Sequence, residues 1–158
     1  LLFLDVGGSM DPYIKLVEEL FSAARSEFKH LEYFYFHNCI YEGVWKNNQR
    51  RWTEQIPTDE IIRTYGSDYK CICVGDASMS PYEIAFPGGA NEHYNAESGQ
   101  VWLDRIRSQW PNNLWINPVK QNLWGYTQSI EMIKDIFEDR MVPMTLEGLE
   151  KGMKELAR

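Results

Sequence analysis

The chain has 158 residues, of which 44% are hydrophobic and 14% aromatic, and it carries a formal net charge of −7 at pH 7. This length and composition predict one globular domain with its own core and exclude a disordered chain. The negative charge disfavours nucleic acid as a partner, and no apolar run approaches the roughly 20 residues that span a bilayer.

The chain opens with a strand–loop–helix unit. The apolar residues 1–4 predict a buried strand, and Asp5 stands at its carboxyl end. A loop with two glycines and Ser9 follows, and Asp11 before Pro12 is typical of an N-cap with proline at the first helical position. Because no leader or initiator methionine precedes this strand, we expect a fragment of a longer protein or a processed chain.

The next segment predicts an antiparallel hairpin. Residues 31–36 form an aromatic strand, a tight turn follows, and residues 39–45 form a second strand at the edge of the sheet. Residues 47–54 are expected to be an exposed connection that Trp52 pins to the body. Thr58 is then a candidate N-cap of a short helix that ends near residue 65.

A second strand–loop–helix unit follows the first. Residues 70–74 predict a buried strand that ends at Asp76, and Ser80-Pro81 with Glu83 combine a capping box with proline at the first helical position. Two such units in parallel indicate the βαβ arrangement of a doubly wound sheet.

The rest of the chain continues the alternation of strands and helices. The pattern predicts a helix capped by Ser98, a strand at 114–116, a helix around 130–137, a strand at 141–144 and a last helix capped by Thr145. The whole pattern predicts a Rossmann-like three-layer α/β/α sandwich with a mostly parallel sheet.

The first loop has the residue types of a cation site. Open α/β sheets bind ligands at the carboxyl ends of their strands, and the carboxylate of Asp5 and the hydroxyl of Ser9 are hard oxygen donors that suit Mg²⁺. A bare helix N-terminus would favour an anion instead, which Asp5 and Asp11 disfavour. The alternative is an ordinary strand–turn–helix junction in which Asp11 acts only as a cap.

The segment DVGGSM at residues 5–10 resembles the DxSxS motif that begins the metal-ion-dependent adhesion site (MIDAS) of von Willebrand factor A (VWA) domains. Asp5 and Ser9 match its first and last positions, whereas Gly7 stands where the family has its first serine. The segments VGDASMSPYE, WINP and MVPMTLEGLE are similar to pieces of the CoxE-like bacterial branch. The resemblance covers nearly the whole chain and implies one VWA-like domain, residues 1–158, with six strands in the order 3-2-1-4-5-6 and strand 3 antiparallel.

The resemblance also implies a set of metal ligands. Thr58 corresponds best to the family's threonine, with its role as an N-cap an equal alternative, and Asp76 corresponds to the aspartate after strand 4. Asp5 and Asp76 would then face each other, and two close carboxylates repel unless a cation or a proton lies between them. The expected cofactor is Mg²⁺ or Mn²⁺, bound weakly because Gly7 offers no side-chain oxygen. Gly7→Ser is expected to restore a ligand, and Asp5→Ala to abolish binding without cost to the fold.

The implied function is that of an adaptor, not an enzyme: the cation accepts a carboxylate from a partner protein. In CoxE-like relatives the partner is a MoxR-type AAA ATPase, in complex remodelling or metal-cofactor assembly. The surface predicted to receive the partner comprises Gly7, Met10, Ser78, Trp124 and Tyr126, although the two aromatic residues could equally cover the core.

Two other functions stay open at this point. One is a metal-free interaction domain whose site has decayed through Gly7. The other is a Mg²⁺-dependent phosphatase-like hydrolase, because LDVGGS superficially resembles the D-x-D motif of haloacid dehalogenases; Gly7 stands in the place of the second aspartate and disfavours it. His37 is predicted to be a hairpin residue rather than a catalytic one, and His30 and His93 show no partners in the sequence.

The chain has three cysteines. Cys71 and Cys73 share one face of a strand, because side chains alternate with a period of two, and they could not form a disulfide without distortion. We expect buried, reduced thiols, which suit a cytoplasmic protein. A C-x-C metal pair is the alternative, but it lacks a second pair.

Overall fold

A computed structural model of the chain describes residues 1–25, 28–48 and 54–157. In chain order the strands are β1 (Leu2–Asp5), β2 (Tyr33–Phe36), β3 (Gly43–Val44), β4 (Ile56–Pro57), β5 (Cys71–Val74), β6 (Asn113–Asn117) and β7 (Met141–Pro143). Five of them form one sheet in the order β2-β1-β5-β6-β7, in which every pair of neighbours is parallel. Strands β3 and β4 form a separate antiparallel pair.

Helices cover both faces of the central sheet. They are α1 (Asp11–Ala24), α2 (Thr58–Thr64), α3 (Pro81–Ala85), α4 (Gly99–Gln109), α5 (Gln128–Ile136) and α6 (Leu146–Leu156), with 3-10 helices at Gly8–Met10 and Gln121–Tyr126. Among the described residues, none of these helices has the length and apolar character to cross a membrane.

The strand side chains alternate between two cores, as the period of a strand requires. On one face, Phe3, Cys73 and Trp115 pack with buried side chains of α2 to α5. On the other face, Leu4 and Val74 pack with those of α1 and α6. Because both faces are buried, the strands are continuous apolar runs. The predicted α/β class with a mostly parallel sheet is therefore confirmed.

The segment predicted as an edge strand, residues 39–45, is mostly a buried loop. Only its last part forms a strand, which pairs with β4, and it touches β2 through one antiparallel bridge between Tyr35 and Trp45. The chain reverses at Asn38, whose φ is +61°, and then enters the core at Cys39 and Ile40. The central sheet of the described residues thus has five strands, without the expected sixth. The predicted connection at 47–54, with Trp52, lies largely outside the described residues.

Two predicted helix caps are corrected by the structure. Helix α1 begins at Asp11 itself, because the 3-10 helix before it leads directly into the first turn. Helix α2 begins at Thr58, and Pro57 occupies the N-cap position. The capping box of Ser80 and Glu83 and the caps at Ser98 and Thr145 are confirmed by their side-chain hydrogen bonds.

The three cysteines are buried free thiols, as predicted for Cys71 and Cys73. The pKa of Cys73 lies well above its usual value, because of a hydrogen bond with Cys71 and because of burial. Burial also raises the pKa of Cys39. The raised pKa values disfavour the thiolate forms of Cys39 and Cys73, and a thiol is a weaker nucleophile than a thiolate.

Candidate metal centre

Asp5 lies at the carboxyl edge of the sheet, beside the end of the neighbouring strand β5. It pairs with Phe36 of β2, and the preceding pair Leu4–Val74 places Asp5 next to Gly75. A Cβ added at Gly75 would lie 3.2 Å from Oδ2 of Asp5. The side chain is buried, with 2% of its surface exposed. Asp5 therefore lies against Gly75, the residue before Asp76, at the edge where open α/β sheets bind ligands.

The carboxylate of Asp5 is held by backbone donors. Its Oδ1 atom accepts hydrogen bonds from the N–H groups of Gly7, at 2.8 Å, and Asn38, at 3.0 Å. One donor belongs to the loop after β1 and the other to the turn after β2. Charge-assisted bonds of this kind fix the orientation of a carboxylate more strongly than neutral ones.

The loop that carries Asp76 is fixed by side chains from two later elements. Oδ1 of Asp76 accepts a hydrogen bond from the N–H of Ser78, at 3.0 Å. The carbonyl of Asp76 accepts one from Nδ2 of Asn117, at 3.0 Å. Ser129 donates to the carbonyl of Ala77, at 2.6 Å, and Ala77 has a φ of +55°. The left-handed turn that presents Asp76 is thus held from outside its own segment.

Asn38 and Glu83 belong to this edge and were missed as site residues. Nδ2 of Asn38 donates to Oε1 of Glu83, at 3.1 Å, and Oε2 of Glu83 accepts from the N–H of Ser80, at 3.0 Å. The capping box identified Glu83 as a cap from the sequence. Its contact with Asn38 spans 45 residues, so no local pattern could have revealed it.

Thr58 is buried and uses its hydroxyl as a donor. Oγ1 donates to the carbonyl of Tyr41, at 2.6 Å, and the phenol of Tyr41 donates to the carbonyl of Glu83, at 2.6 Å. The described contacts thus link Thr58 to the site through Tyr41. Burial, followed by the nearby Cys39 and Glu83, raises the pKa of the Tyr41 phenol far above its usual value, so this phenol is a neutral donor.

Some of the other predicted site residues are exposed and some are buried. Ser9 and Ser78 are exposed, whereas Met10 is buried beneath the loop. Trp124 is also buried, and its indole N–H donates to a backbone carbonyl at 2.9 Å. Its ring therefore packs in the core. Tyr126 is 87% exposed and is the aromatic residue of this pair that a partner could contact.

Gly7 is buried and has less room than the resemblance implied. A Cβ at this position would lie 2.3 Å from Oδ1 of Asn38 and 3.1 Å from Oδ1 of Asp5. A serine at residue 7 could therefore fit only if the Asn38 side chain moved. The expectation that Gly7→Ser restores a ligand therefore stays a prediction, and it requires a displacement of the Asn38 side chain.

The donor set of this edge fits a hard cation in its chemistry. It offers carboxylates from Asp5 and Asp76, hydroxyls and an amide oxygen, the ligand types that Mg²⁺ prefers. Within residues 1–25, 28–48 and 54–157, no three His, Cys, Asp or Glu side chains group as metal ligands. A cation here would therefore need hydroxyl, amide or water oxygens beside the two carboxylates.

Two histidines near this edge are paired with glutamates. Nε2 of His37 lies 3.7 Å from Oε1 of Glu92, and Nε2 of His93 lies 2.7 Å from Oε1 of Glu42. His93 thus has a partner that its sequence context did not reveal. These pairs connect the loop before α4 to the β2–β3 segment.

Comparisons with protein-family models, with curated proteins and with solved structures gave no significant match. The fold and the site define an α/β protein with two carboxylates and several polar oxygens at the carboxyl edge of its sheet. The resemblance to VWA domains accordingly rests on the motifs of the chain itself.

Proposed function

We propose that the chain is a VWA-type protein-interaction module, an adaptor with a MIDAS-like divalent-cation site at the carboxyl edge of its sheet. The observation that supports the proposal is the close approach of Asp5 to Gly75, the residue before Asp76, at the ends of two adjacent parallel strands. In this proposal the buried carboxylates of Asp5 and Asp76 face each other, which is costly without a counter-charge. A divalent cation supplies that charge.

In this proposal Asp5, Ser9, Thr58 and Asp76 hold Mg²⁺ or Mn²⁺, either directly or through water. When bound, the cation supplies a Lewis-acidic position that a carboxylate of a partner can occupy. The backbone donors of Gly7, Asn38 and Ser78 keep the two aspartates oriented. The VWA strand order would be completed by residues 43–45 at the β2 edge, through the Tyr35–Trp45 bridge.

The partner we propose is a protein with an exposed carboxylate, on the resemblance to CoxE-like domains a MoxR-type AAA ATPase. The module would then work in complex remodelling or metal-cofactor assembly. The exposed Ser9, Ser78 and Tyr126 support a contact surface around the site.

A metal-free interaction domain is the second candidate, and one observation favours it. Thr58 donates its hydroxyl hydrogen to the Tyr41 carbonyl, and Oδ1 atoms of both aspartates already accept backbone hydrogen bonds. Polar groups satisfied by protein have less need of a cation.

Calorimetric titration with Mg²⁺ and with Mn²⁺ separates the two candidates. We expect the wild type to bind the ion saturably. The control Asp68→Asn, at an exposed residue, should bind it as well, whereas Asp5→Asn and Asp76→Asn should not. Each Asp→Asn substitution keeps the shape of the side chain and removes one charge. A wild type that binds neither ion at millimolar concentration would leave the metal-free domain as the function.

A further inference from the structure

Gly7 and the side chain of Asn38 compete for the same space. The Cβ of any other residue at position 7 would lie 2.3 Å from Oδ1 of Asn38. The backbone itself does not require glycine there, since φ is −59° and ψ is 158°, a conformation that every L-residue adopts. The glycine is therefore explained by the amide of Asn38 and not by the turn.

The orientation of the Asn38 amide is set by its hydrogen bonds. Its nitrogen donates to Oε1 of Glu83, a buried carboxylate whose other oxygen accepts from the N–H of Ser80. Because a carboxylate accepts and does not donate, the amide nitrogen must face Glu83, and the amide oxygen faces Gly7. Glu83 is thus a positioning residue for the Asn38 oxygen.

The backbone of Asn38 is fixed as well. Its N–H donates to Oδ1 of Asp5, at 3.0 Å, and its φ of +61° lies in the left-handed region that asparagine tolerates better than most residues. The point that a Cβ at residue 7 would occupy is 3.1 Å from that same Asp5 oxygen. The amide oxygen and the carboxylate therefore flank one position in the loop.

We propose that Asn38 is a ligand residue of the cation site, and that its Oδ1 supplies the oxygen that residue 7 lacks. The inference rests on the proposed function, because it requires a divalent cation beside Asp5. Amide carbonyl oxygens are ordinary ligands of hard cations. The oxygen ligand would thus come from the turn after β2 instead of the loop after β1. Gly7 leaves the space that the side chain of Asn38 occupies.

Two substitutions at Asn38 separate a ligand from a structural residue. Asn38→Gly removes the oxygen and keeps the left-handed backbone accessible, so the Kd for Mg²⁺ should rise roughly five- to tenfold, the scale of one polar contact. Asn38→Asp also loses the donor to Glu83 but keeps an oxygen toward Asp5. Asn38→Asp should therefore bind Mg²⁺ at least as tightly as the wild type, whereas a purely structural role would weaken both variants alike.

A relocation of the oxygen gives a second and independent test. Gly7→Ser alone forces the Asn38 side chain aside and should weaken Mg²⁺ binding. Combined with Asn38→Gly, the serine has room, and the double variant should bind Mg²⁺ more tightly than either single variant. Gly8→Ser is the matched control, because a Cβ at Gly8 meets nothing within 4 Å, and it should bind like the wild type.

The measurements are Mg²⁺ titration by calorimetry and the electron paramagnetic resonance spectrum of bound Mn²⁺, with circular dichroism to verify folding. Asn38→Gly with a wild-type Kd, or a double variant no tighter than the single ones, would overturn the role of Asn38 while leaving the proposed site intact. A wild type that binds no Mg²⁺ would overturn the proposed site and the role of Asn38 together.

Discussion

The carboxylate of Asp5 accepts a 3.0 Å hydrogen bond from the backbone N–H of Asn38, 33 residues further along the chain. A second bond, from the N–H of Gly7, reaches the same oxygen at 2.8 Å. The Asp5 side chain thus ties the loop after β1 to the turn after β2. Asp5→Ala was expected to leave the fold stable, because only the repulsion between carboxylates was taken into account. The loss of these two hydrogen bonds should instead lower the stability of the fold.

Asp5→Ala should lower the free energy of unfolding by about 2–3 kcal/mol without divalent cations, because the buried N–H of Gly7 and the partly buried N–H of Asn38 lose their acceptor. Asp5→Asn keeps an acceptor oxygen and should lose clearly less. Urea denaturation in the presence of a chelator measures both variants. Equal stability of Asp5→Ala and the wild type would mean that water replaces the carboxylate as acceptor.

Gly75→Ala should disturb the packing around Asp5, because Gly75 directly follows the neighbouring strand β5. The added Cβ would lie 3.0 Å from Cβ of Asp5 and 3.1 Å from Cζ2 of Trp115, and both neighbours are buried. We expect a loss of about 1–3 kcal/mol in the free energy of unfolding, the usual cost of overpacking. Gly125→Ala, where a Cβ meets nothing within 4 Å, is the control and should change stability by less than about 0.5 kcal/mol. Equal effects of the two substitutions would contradict this packing.

The sequence was sufficient to place Asp5 and Asp76 at strand ends, because both follow short apolar runs and precede helix-start signals. Burial of both sheet faces makes such runs continuous, so the parallel arrangement could be predicted from them. The capping box at Ser80 and Glu83 could also be predicted from the sequence, since all its atoms lie within four residues.

The remaining features depend on contacts that are distant in sequence. Asn38 touches Asp5 and Glu83 across 33 and 45 residues, and a single sequence gives no sign of such pairs. Residues 39–41 are apolar enough for a strand, although apolar and polar residues do not alternate clearly there. The chain reverses at Asn38, and these residues enter the core as a loop. Trp124 could cover the core or anchor a partner, and only tertiary packing decided its burial.

Ser129→Ala should destabilise the loop that presents Asp76. The hydroxyl of Ser129 donates to the carbonyl of Ala77, at 2.6 Å, and accepts from the N–H of Met79, at 3.0 Å. Both bonds disappear in the variant, so the free energy of unfolding should fall by about 1–3 kcal/mol. The exposed Ser67→Ala is the control for loss of a hydroxyl and should change stability by less than about 0.5 kcal/mol. Thermal or urea unfolding compares the two, and a Ser129→Ala protein as stable as Ser67→Ala would show that these bonds contribute nothing net.

Alkaline pH should destabilise the protein through its buried thiols and the phenol of Tyr41. Burial raises the pKa of Cys39 above its ordinary value of 9.0, the hydrogen bond with Cys71 and burial raise that of Cys73, and burial raises that of Tyr41 above 10.0. Above about pH 9, the unfolded chain releases thiol protons that the folded chain keeps, so the folded state binds more protons. Stability from these groups is fully present below the unfolded-state pKa values and is lost as the pH rises from there toward the folded-state values.

Cys39→Ser tests the sign and the size of this effect. Each such group should contribute a fall of about 1.4 kcal/mol per pH unit to the free energy of unfolding in the alkaline range. Removal of the Cys39 thiol should therefore make the fall of the free energy of unfolding with pH shallower by about 1.4 kcal/mol per pH unit. Urea denaturation at neutral pH, where the thiol is protonated in both states, serves as the internal control, because it measures the packing cost of the substitution separately. A variant with the wild-type slope above pH 9.0 would show that the Cys39 thiol titrates alike in both states, against the pKa that its burial implies.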